Sequence, residues 1–277
     1  NSKTLINIGN FLSLRDKNFY AIKAYKKALL NDPHNIEVYS NIGLAYARNR
    51  DFKNAKKFYE LAQKNNNVSP SLNLSMAYLY MYKNNFERAW DFFESRKHNS
   101  KFKQKESLIN KSSVAKKETI ISKKILVLRE QGIGEEILFS SMYKELIALN
   151  NNLKIETDHR LISVFERSFQ NKVFVPDGYY SKNEEVLKNF DSVIFAGSLC
   201  AYFRKNKKDF LKKPYLIADQ MKAQKIKENQ IFSRSQLRVG LSWKSVVSVY
   251  GKLKSLTLSD FAPLFKKERK FINLQYG

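Results

Sequence analysis

The sequence has a single cysteine, Cys200, among 277 residues. One thiol excludes a disulfide framework and any metal site built on several cysteines. Three histidines, His34, His98 and His159, lie far apart and lack ligand spacing, so no metal centre is expected. No window approaches the ~18 consecutive apolar residues of a membrane-spanning helix. No charged-then-apolar signal segment opens the chain, and the expected compartment is the cytoplasm. The first residue is Asn rather than Met, which suggests a trimmed N-terminus or a fragment edge. Acidic residues are few, 26 against 50 Lys and Arg, for a net charge of +24. That balance invites a nucleic-acid reading. Lys, Asn, Ile and Phe are abundant together, however, as in AT-rich coding. A solvated basic surface is therefore the preferred reading, with an anionic lipid or glycolipid surface as a further alternative and nucleic acid not the expected partner. Apolar residues make up 43%, with 20 Phe and 15 Tyr. That is enough for packed cores and excludes wholesale disorder. At ~150 residues per domain, about two domains are expected.

A repeat fills the first hundred residues. Gly9, Gly43 and Ala77 recur at a step of 34, as do Ala21, Ala55 and Ala89, and Tyr25, Tyr59 and Phe93. Ala28 and Ala62 begin a fourth column that Arg96 breaks, and Pro33 closes the first unit where Asn67 stands in the second. Small residues let paired helices approach, and the aromatic column fills the gaps between stacked units. This resembles the tetratricopeptide pattern, three units of 34 residues over residues 1–100. The resemblance implies either a concave face that binds a protein or peptide partner, or a structural support that holds the next domain in place; both stay open.

Residues 101–123 form a basic stretch with Lys101, Lys103, Lys105, Lys111, Lys116, Lys117 and Lys123 against Glu106 and Glu118. It reads as a flexible or half-helical linker. Aromatics are not interleaved with the lysines, which argues against a single-strand nucleic-acid groove.

From Lys124 the grammar changes to strand, turn and helix. Ile125-Leu126-Val127-Leu128 reads as a buried strand. Gln131-Gly132-Ile133-Gly134 forces a turn, and one helix is expected from Glu135-Glu136 through Leu149. Leu153–Glu156, Lys172–Val175 and Asp191–Phe195 are further strands, and Arg160–Phe169 is a helix. This alternation predicts a parallel sheet with covered faces. A second start comes at Arg238–Lys244, a strand running into a polar turn. Ser259–Lys267 then reads as a helix with Phe261, Leu264 and Phe265 inward, and Phe271–Gln275 as a strand. The expectation is that the chain stops inside a domain.

Glu130-Gln131-Gly132-Ile133-Gly134-Glu135-Glu136 after an apolar strand resembles the E-Q-G-L-G-D-E opening of bacterial tetratricopeptide proteins that carry a glycosyltransferase domain similar to the heptosyltransferases. Thr157–Leu161 with Arg167-Ser168-Phe169, Gly197-Ser198-Leu199 with Arg204, Arg238–Lys244, Lys254-Ser255-Leu256 and Leu274-Gln275-Tyr276-Gly277 resemble further segments of that family in order. The resemblance spans residues 124–277. It implies an α plus α/β chain: a tetratricopeptide array, then a Rossmann-like half of a GT-B glycosyltransferase over 124–236, then an incomplete second half over 237–277.

By the same resemblance, the donor is a nucleotide-sugar held on the C-terminal half, the acceptor is an envelope saccharide or a protein side chain, and no metal or other cofactor is needed. Glu135 stands where the family has its Asp general base; as an unspecialised residue it suits the first turn of a helix. Gly132 and Gly134 admit backbone close to a substrate, or simply permit a tight turn. Arg204 is a candidate for an acceptor anion. Ser242, Lys244 and Lys254 are candidates for the donor diphosphate, although any lysine in so basic a chain also suits the surface. Cys200 reads as a buried small apolar residue. Because family members continue past their L-Q-Y-G segment, no turnover is expected of residues 1–277 alone. The alternative is a non-enzymatic tetratricopeptide scaffold carrying a remnant transferase domain.

Overall fold

The computed structural model describes residues 1–64, 69–98, 108, 116–229, 237–245, 255–266 and 268–275. The chain divides into two compact units, Asn1–Ile217 and Ala218–Gly277.

The first unit opens with three helix pairs: α1 (Ser2–Leu14) with α2 (Asn18–Asn31), α3 (Ile36–Arg48) with α4 (Phe52–Gln63), and α5 (Pro70–Tyr82) with α6 (Phe86–Phe93). The turn within each pair repeats with the 34-residue step. Asp16, Arg50 and Asn84 all take left-handed backbone. The following N–H of Lys17, Asp51 and Asn85 returns to the carbonyl of Leu12, Tyr46 and Tyr80. These bonds satisfy carbonyls left open at the end of the first helix. Asn35, Asp51, Ser69 and Asn85 accept at the next helix start, as helix N-caps do.

The small and aromatic columns meet inside each pair. A Cβ on Gly43 would stand 2.5 Å from the Tyr59 ring, and one on Gly9 would collide with Tyr25. The aromatic rings therefore first fill the space their own pair leaves open. Tyr25 also joins Val38, Ile42 and Ala45 of the next pair in one cluster, so the gap-filling between units is a second contact of the same ring.

After a 3-10 turn (Glu94–His98), helix α7 (Lys117–Ser122) precedes the sheet. Its Ile120 is buried, and its end is held by Asn150 Nδ2, which donates to the Ile120 and Lys123 carbonyls. Most of the basic stretch from 101 to 115 lies outside the described residues.

The sheet comprises β1 (Ile125–Leu128), β2 (Leu153–Thr157), β3 (Phe174–Pro176) and β4 (Ser192–Phe195). All neighbours are parallel, in the order β3-β2-β1-β4. Strand β1 is buried throughout, and its side chains alternate between faces. Ile125 and Val127 pack with Phe139, Tyr143 and Phe165, while Leu126 and Leu128 pack with Leu108, Leu187 and Val193. Ala77, Trp90 and Phe93 of the last repeat pair belong to the first of these clusters, so repeat and sheet share one core.

Three local expectations need correction. The helix expected from Glu135 to Leu149 is two helices, α8 (Ile133–Ser140) and α9 (Tyr143–Leu149). Between them the Ser141 carbonyl accepts from Arg204 Nη2 at 2.8 Å. The left-handed residue of the β1–α8 turn is Gln131, at φ 59°, and neither nearby glycine. In the second unit, the crossover between β5 (Leu237–Leu241) and β6 (Arg269–Asn273) is a 3-10 stretch, Leu258–Leu264. Pro263 within it lacks the N–H an α-helix needs. Leu264 and Phe265 are exposed rather than inward. Strands β5 and β6 are parallel, and among the described residues of this unit none is buried.

Between β2 and β3 runs α10 (His159–Phe169), and between β3 and β4 the short α11 (Glu184–Leu187); α12 (Cys200–Phe203) follows the 3-10 turn Ala196–Leu199 after β4. Among the described residues, no helix is long and apolar enough to cross a membrane.

Candidate functional site

Ligands of open parallel sheets gather at the carboxyl ends of the strands, where the strand order reverses. Here the order reverses between β1 and β4. The loops leaving those strands carry Glu130 and Gly197-Ser198, and the space between them holds the guanidinium of Arg96. Arg96 Nε and Nη2 donate to the Glu130 carboxylate at 2.7 and 2.9 Å. The Arg96 side chain is 2% exposed and that of Glu130 0%. Arg96 Nη2 also donates to Ser198 Oγ at 3.1 Å, and Ser198 in turn to Glu94 at 3.1 Å. The Gly197 N–H donates to Glu130. A Cβ on Gly197 would meet both Glu130 and Arg96 within 3.0 Å, so the glycine is required by the ion pair. The pair and Glu94 hold Arg96 charged, raised above its ordinary value despite the opposing cost of burial. A residue from the repeat array thus occupies the switch-point crevice of the sheet.

A second charged cluster covers the ends of β1, β2 and β3. The buried Glu136 carboxylate accepts from Arg129 Nε at 2.5 Å, from the Asp158 N–H at 2.8 Å and from the Thr157 hydroxyl. Arg129 also pairs with Asp158 and Asp177, each at 3.2 Å. Arg160 holds the Asp158 carboxyl well below the ordinary range through a side-chain hydrogen bond, with Arg129 adding to it. Glu156, fully buried, accepts three backbone N–H groups of the loop after β3, from Gly178, Tyr180 and Ser181.

Glu135 is different: it is exposed, in the first turn of α8. It lines a cavity of about 290 Å³ bounded by α5 and α6 of the last repeat pair, by α8 and by Arg204. Trp90, Phe93, Phe139 and Met142 form part of its apolar wall. Gln131, strained at φ 59°, is on the same cavity. Gly132 precedes α8 with extended backbone, and a Cβ there would stand 3.0 Å from Glu135 Oε2. A Cβ on Gly134 would meet nothing within 4 Å, so close packing does not require that glycine.

Arg204 is 2% exposed. Its Nη1 and Nη2 donate to Glu145 at 3.0 and 2.7 Å, and its own carbonyl accepts from the Trp90 indole at 2.6 Å. Most of its hydrogen-bonding capacity is therefore spent on holding α9 and α6. Its Nε is buried without a hydrogen-bond partner among the described residues. Cys200, on the same cavity, is buried, and that burial pushes its thiol up to about 12.

Tyr78, on α5, connects this cavity to the repeats. It lines the Glu135 cavity, a groove of about 400 Å³ between α3 and α5 that includes Leu44, Arg48, Arg50, Phe52 and Tyr82, and a third depression of about 370 Å³ beside Ser95 and His98. Partial burial, and then the nearby Glu135 carboxylate, raise the Tyr78 phenol above its ordinary value.

In the second unit, Ser242 and Lys244 are exposed in the turn after β5. Gln275 stitches that turn: its Oε1 accepts the N–H groups of Trp243 and Lys244 at 3.1 and 2.8 Å, and its Nε2 donates to the Lys244 carbonyl at 3.0 Å. Lys254 lies outside the described residues. Glu135 and Arg204 thus meet on one cavity, with Gly132 beside them, while Ser242 and Lys244 share a turn of the other unit. Arg96, Glu130, Tyr78 and Gln131 carry geometry that reading the sequence did not assign. For Arg96 the signal was present: a cation in a column of alanines.

Residues 36–68 match the family model described as tetratricopeptide repeat. No curated protein matches the chain. The repeat match and the stacked helix pairs make a protein partner the coarse functional reading.

Proposed function

We propose that this chain holds a protein segment on its repeats and presents it to a glycosyl-transfer site beside Glu135. The repeats over 1–100, the basic linker over 101–123, a first GT-B half over 124–236 and the incomplete start of a second over 237–277 are the domains of this reading. The observation that carries it is Tyr78, which lines both the groove between α3 and α5 and the Glu135 cavity. A segment lying in the groove reaches the carboxylate without leaving the surface of unit one.

In this reading Glu135 takes the proton of the acceptor hydroxyl as its oxygen bonds to the sugar's anomeric carbon. The bond from that carbon to the nucleotide diphosphate breaks, and the diphosphate leaves with the electron pair. Ser242, Lys244 and Lys254 are the groups that would meet its charge. Gly132 and Gly134, in the turn that opens α8, are the substrate-side glycines of this reading, and Arg204 is its cation for an acceptor anion. The test is transfer of label from UDP-, GDP-, dTDP- and ADP-sugars to protein, using the longest reading frame that contains this chain, against its Glu135→Gln variant. Label lost in the variant supports the reading; unchanged transfer removes Glu135 from the mechanism.

A second reading, a non-enzymatic scaffold, is favoured by Arg96. With its guanidinium buried between the β1 and β4 loops, the sheet serves as an anchor for the repeats. No transfer from any of these donors, together with retained partner binding, supports it.

A further inference from the structure

The groove between α3 and α5 has a charge as well as a shape. Leu44, Tyr78 and Tyr82 are exposed along it. The Phe52 and Tyr82 rings stack at 3.7 Å where the second and third pairs meet. Its charged groups are both cations, Arg48 and Arg50, and among the described residues that line it there is no acid. Both arginines are exposed. Arg48 donates to the Ser13 carbonyl and hydroxyl, and neither arginine pairs with a carboxylate among the described residues. Arg50 also stands at an unusual place. It fills the left-handed position of its turn, at φ 59°, which the other two pairs give to Asp16 and Asn84. Short polar side chains tolerate that backbone and long ones do so less well, so the turn gains nothing from an arginine. A cation kept at a strained position points to a role outside the fold. Tyr78, on the same groove, also borders the Glu135 cavity, and the exposed Glu135 carboxylate repels a like charge. The groove is therefore cationic at Arg48 and Arg50, apolar along Leu44 and Tyr82, and anionic beyond Tyr78.

We infer that this groove binds an acidic stretch of a protein partner, with carboxylates facing Arg48 and Arg50 and an aliphatic side chain against Leu44 and the Phe52–Tyr82 stack. The acids lie to one side only: the residue that reaches past Tyr78 to Glu135 is uncharged. For binding, the inference rests on the groove alone; for what becomes of that residue, it rests on the transfer reading above. A net charge of +24 attracts acidic partners over the whole surface. Binding in the groove is distinguished by needing these two arginines and apolar contact together.

The test is isothermal titration calorimetry of the full chain at physiological salt with a peptide whose glutamates and leucines precede a serine. Its counterparts with Gln for Glu and with Ser for Leu, and a single-stranded oligonucleotide, are titrated alongside. The parent peptide should bind tightest, ahead of the Gln counterpart by about three- to thirtyfold, the worth of two exposed charge pairs. Arg48→Gln/Arg50→Asn should lose the same factor. Arg50→Asn alone puts at the left-handed turn the residue type that Asn84 supplies in the third pair. Its thermal midpoint should hold or rise while affinity for the parent peptide falls by about two- to fivefold, a combination that a structural role for Arg50 does not give. Lys172 and Lys182 flank β3 at the edge of the sheet and are exposed, so Lys172→Gln/Lys182→Gln removes the same charge outside the groove and should leave the affinity within about twofold. Equal loss in the lysine and arginine double variants, equal binding of either counterpart peptide, or no binding of the parent peptide up to its solubility overturns the inference. So does an oligonucleotide that binds through the same arginines more tightly than the peptide. Peptide binding that follows the arginines, without sugar transfer to the peptide's serine by the longest reading frame, leaves the groove assignment standing and removes the transfer reading.

Discussion

Replacing Arg96 by methionine should undock the last repeat pair from the sheet. The substitution keeps an unbranched chain of similar length but strands the Glu130 carboxylate, whose side chain is 0% exposed. It removes two charge-assisted bonds of 2.7 and 2.9 Å to Glu130 and one to Ser198. Breaking a buried pair from one side costs about 3–5 kcal/mol, because the remaining charge stays out of water. With a guanidinium chloride slope of about 4 kcal/mol/M, a loss of ~4 kcal/mol moves the denaturation midpoint by about 1 M. A local readout is the Trp90 indole N–H, bonded to the Arg204 carbonyl at 2.6 Å. If it opens with the docking contact, its exchange should accelerate by roughly a thousandfold, at 1.4 kcal/mol per decade. The double variant Arg96→Met/Glu130→Gln removes both charges and leaves an amide oxygen for the Gly197 N–H. It should recover all but about 1–2 kcal/mol of the loss. A single-variant cost under about 1 kcal/mol, or a double variant as unstable as the single one, refutes the assignment of Arg96 as the docking residue.

Gly43→Ala should destabilise the repeats by about 1–3 kcal/mol in chemical denaturation, since its Cβ meets the rigid Tyr59 ring at 2.5 Å. Gly134→Ala, with nothing within 4 Å, should be neutral or stabilising by up to about 1 kcal/mol; a clear loss would reveal a contact the packing does not explain. Asp158 is held below its ordinary carboxylate value mainly by Arg160, so its contribution is present above the unfolded value of about 3.9 and is lost as the pH falls further. Denaturation midpoints measured from pH 6 to pH 2 should therefore decline less steeply for Asp158→Asn than for the parent, and parallel curves would count against the pairing. With burial pushing the Cys200 thiol up to about 12, alkylation by iodoacetamide at pH 8 should run at least about a thousandfold slower than for a free thiol. Rapid labelling of the native chain would contradict that burial.

The 34-residue columns were legible because each repeat pair is held by the same local contact: a small residue facing an aromatic ring sixteen positions later, as in Gly43 and Tyr59. Strand β1 was legible to the residue because both faces are covered and all four side chains are apolar. The break between α8 and α9 was not, because the group that takes the Ser141 carbonyl, Arg204, arrives 63 residues later. The 3-10 crossover could have been read from Pro263, which removes an interior donor whatever the apolar spacing suggests. At the site, Glu135 and its glycine turn were readable as a motif. The ion pair at the switch point was not, since nothing in the spacing of Arg96 and Glu130 says that they meet.

The Glu130–Glu136 stretch looks like one chemical motif, but its residues serve different ends. Glu130 is buried against Arg96 and the Gly197 N–H. Gln131 absorbs the left-handed turn. Glu136 is buried against Arg129 and the Asp158 N–H, and so ties β1 to the end of β2. Of its three carboxylates, only Glu135 is exposed and lines a cavity. Two of the three acids in a segment that resembles a catalytic opening are therefore committed to architecture. Likeness across the segment speaks first for the shared turn and the docking of the repeats. The case for chemistry rests on Glu135, on the aromatic cavity beside it, and on Tyr78, which brings the repeat groove to its edge.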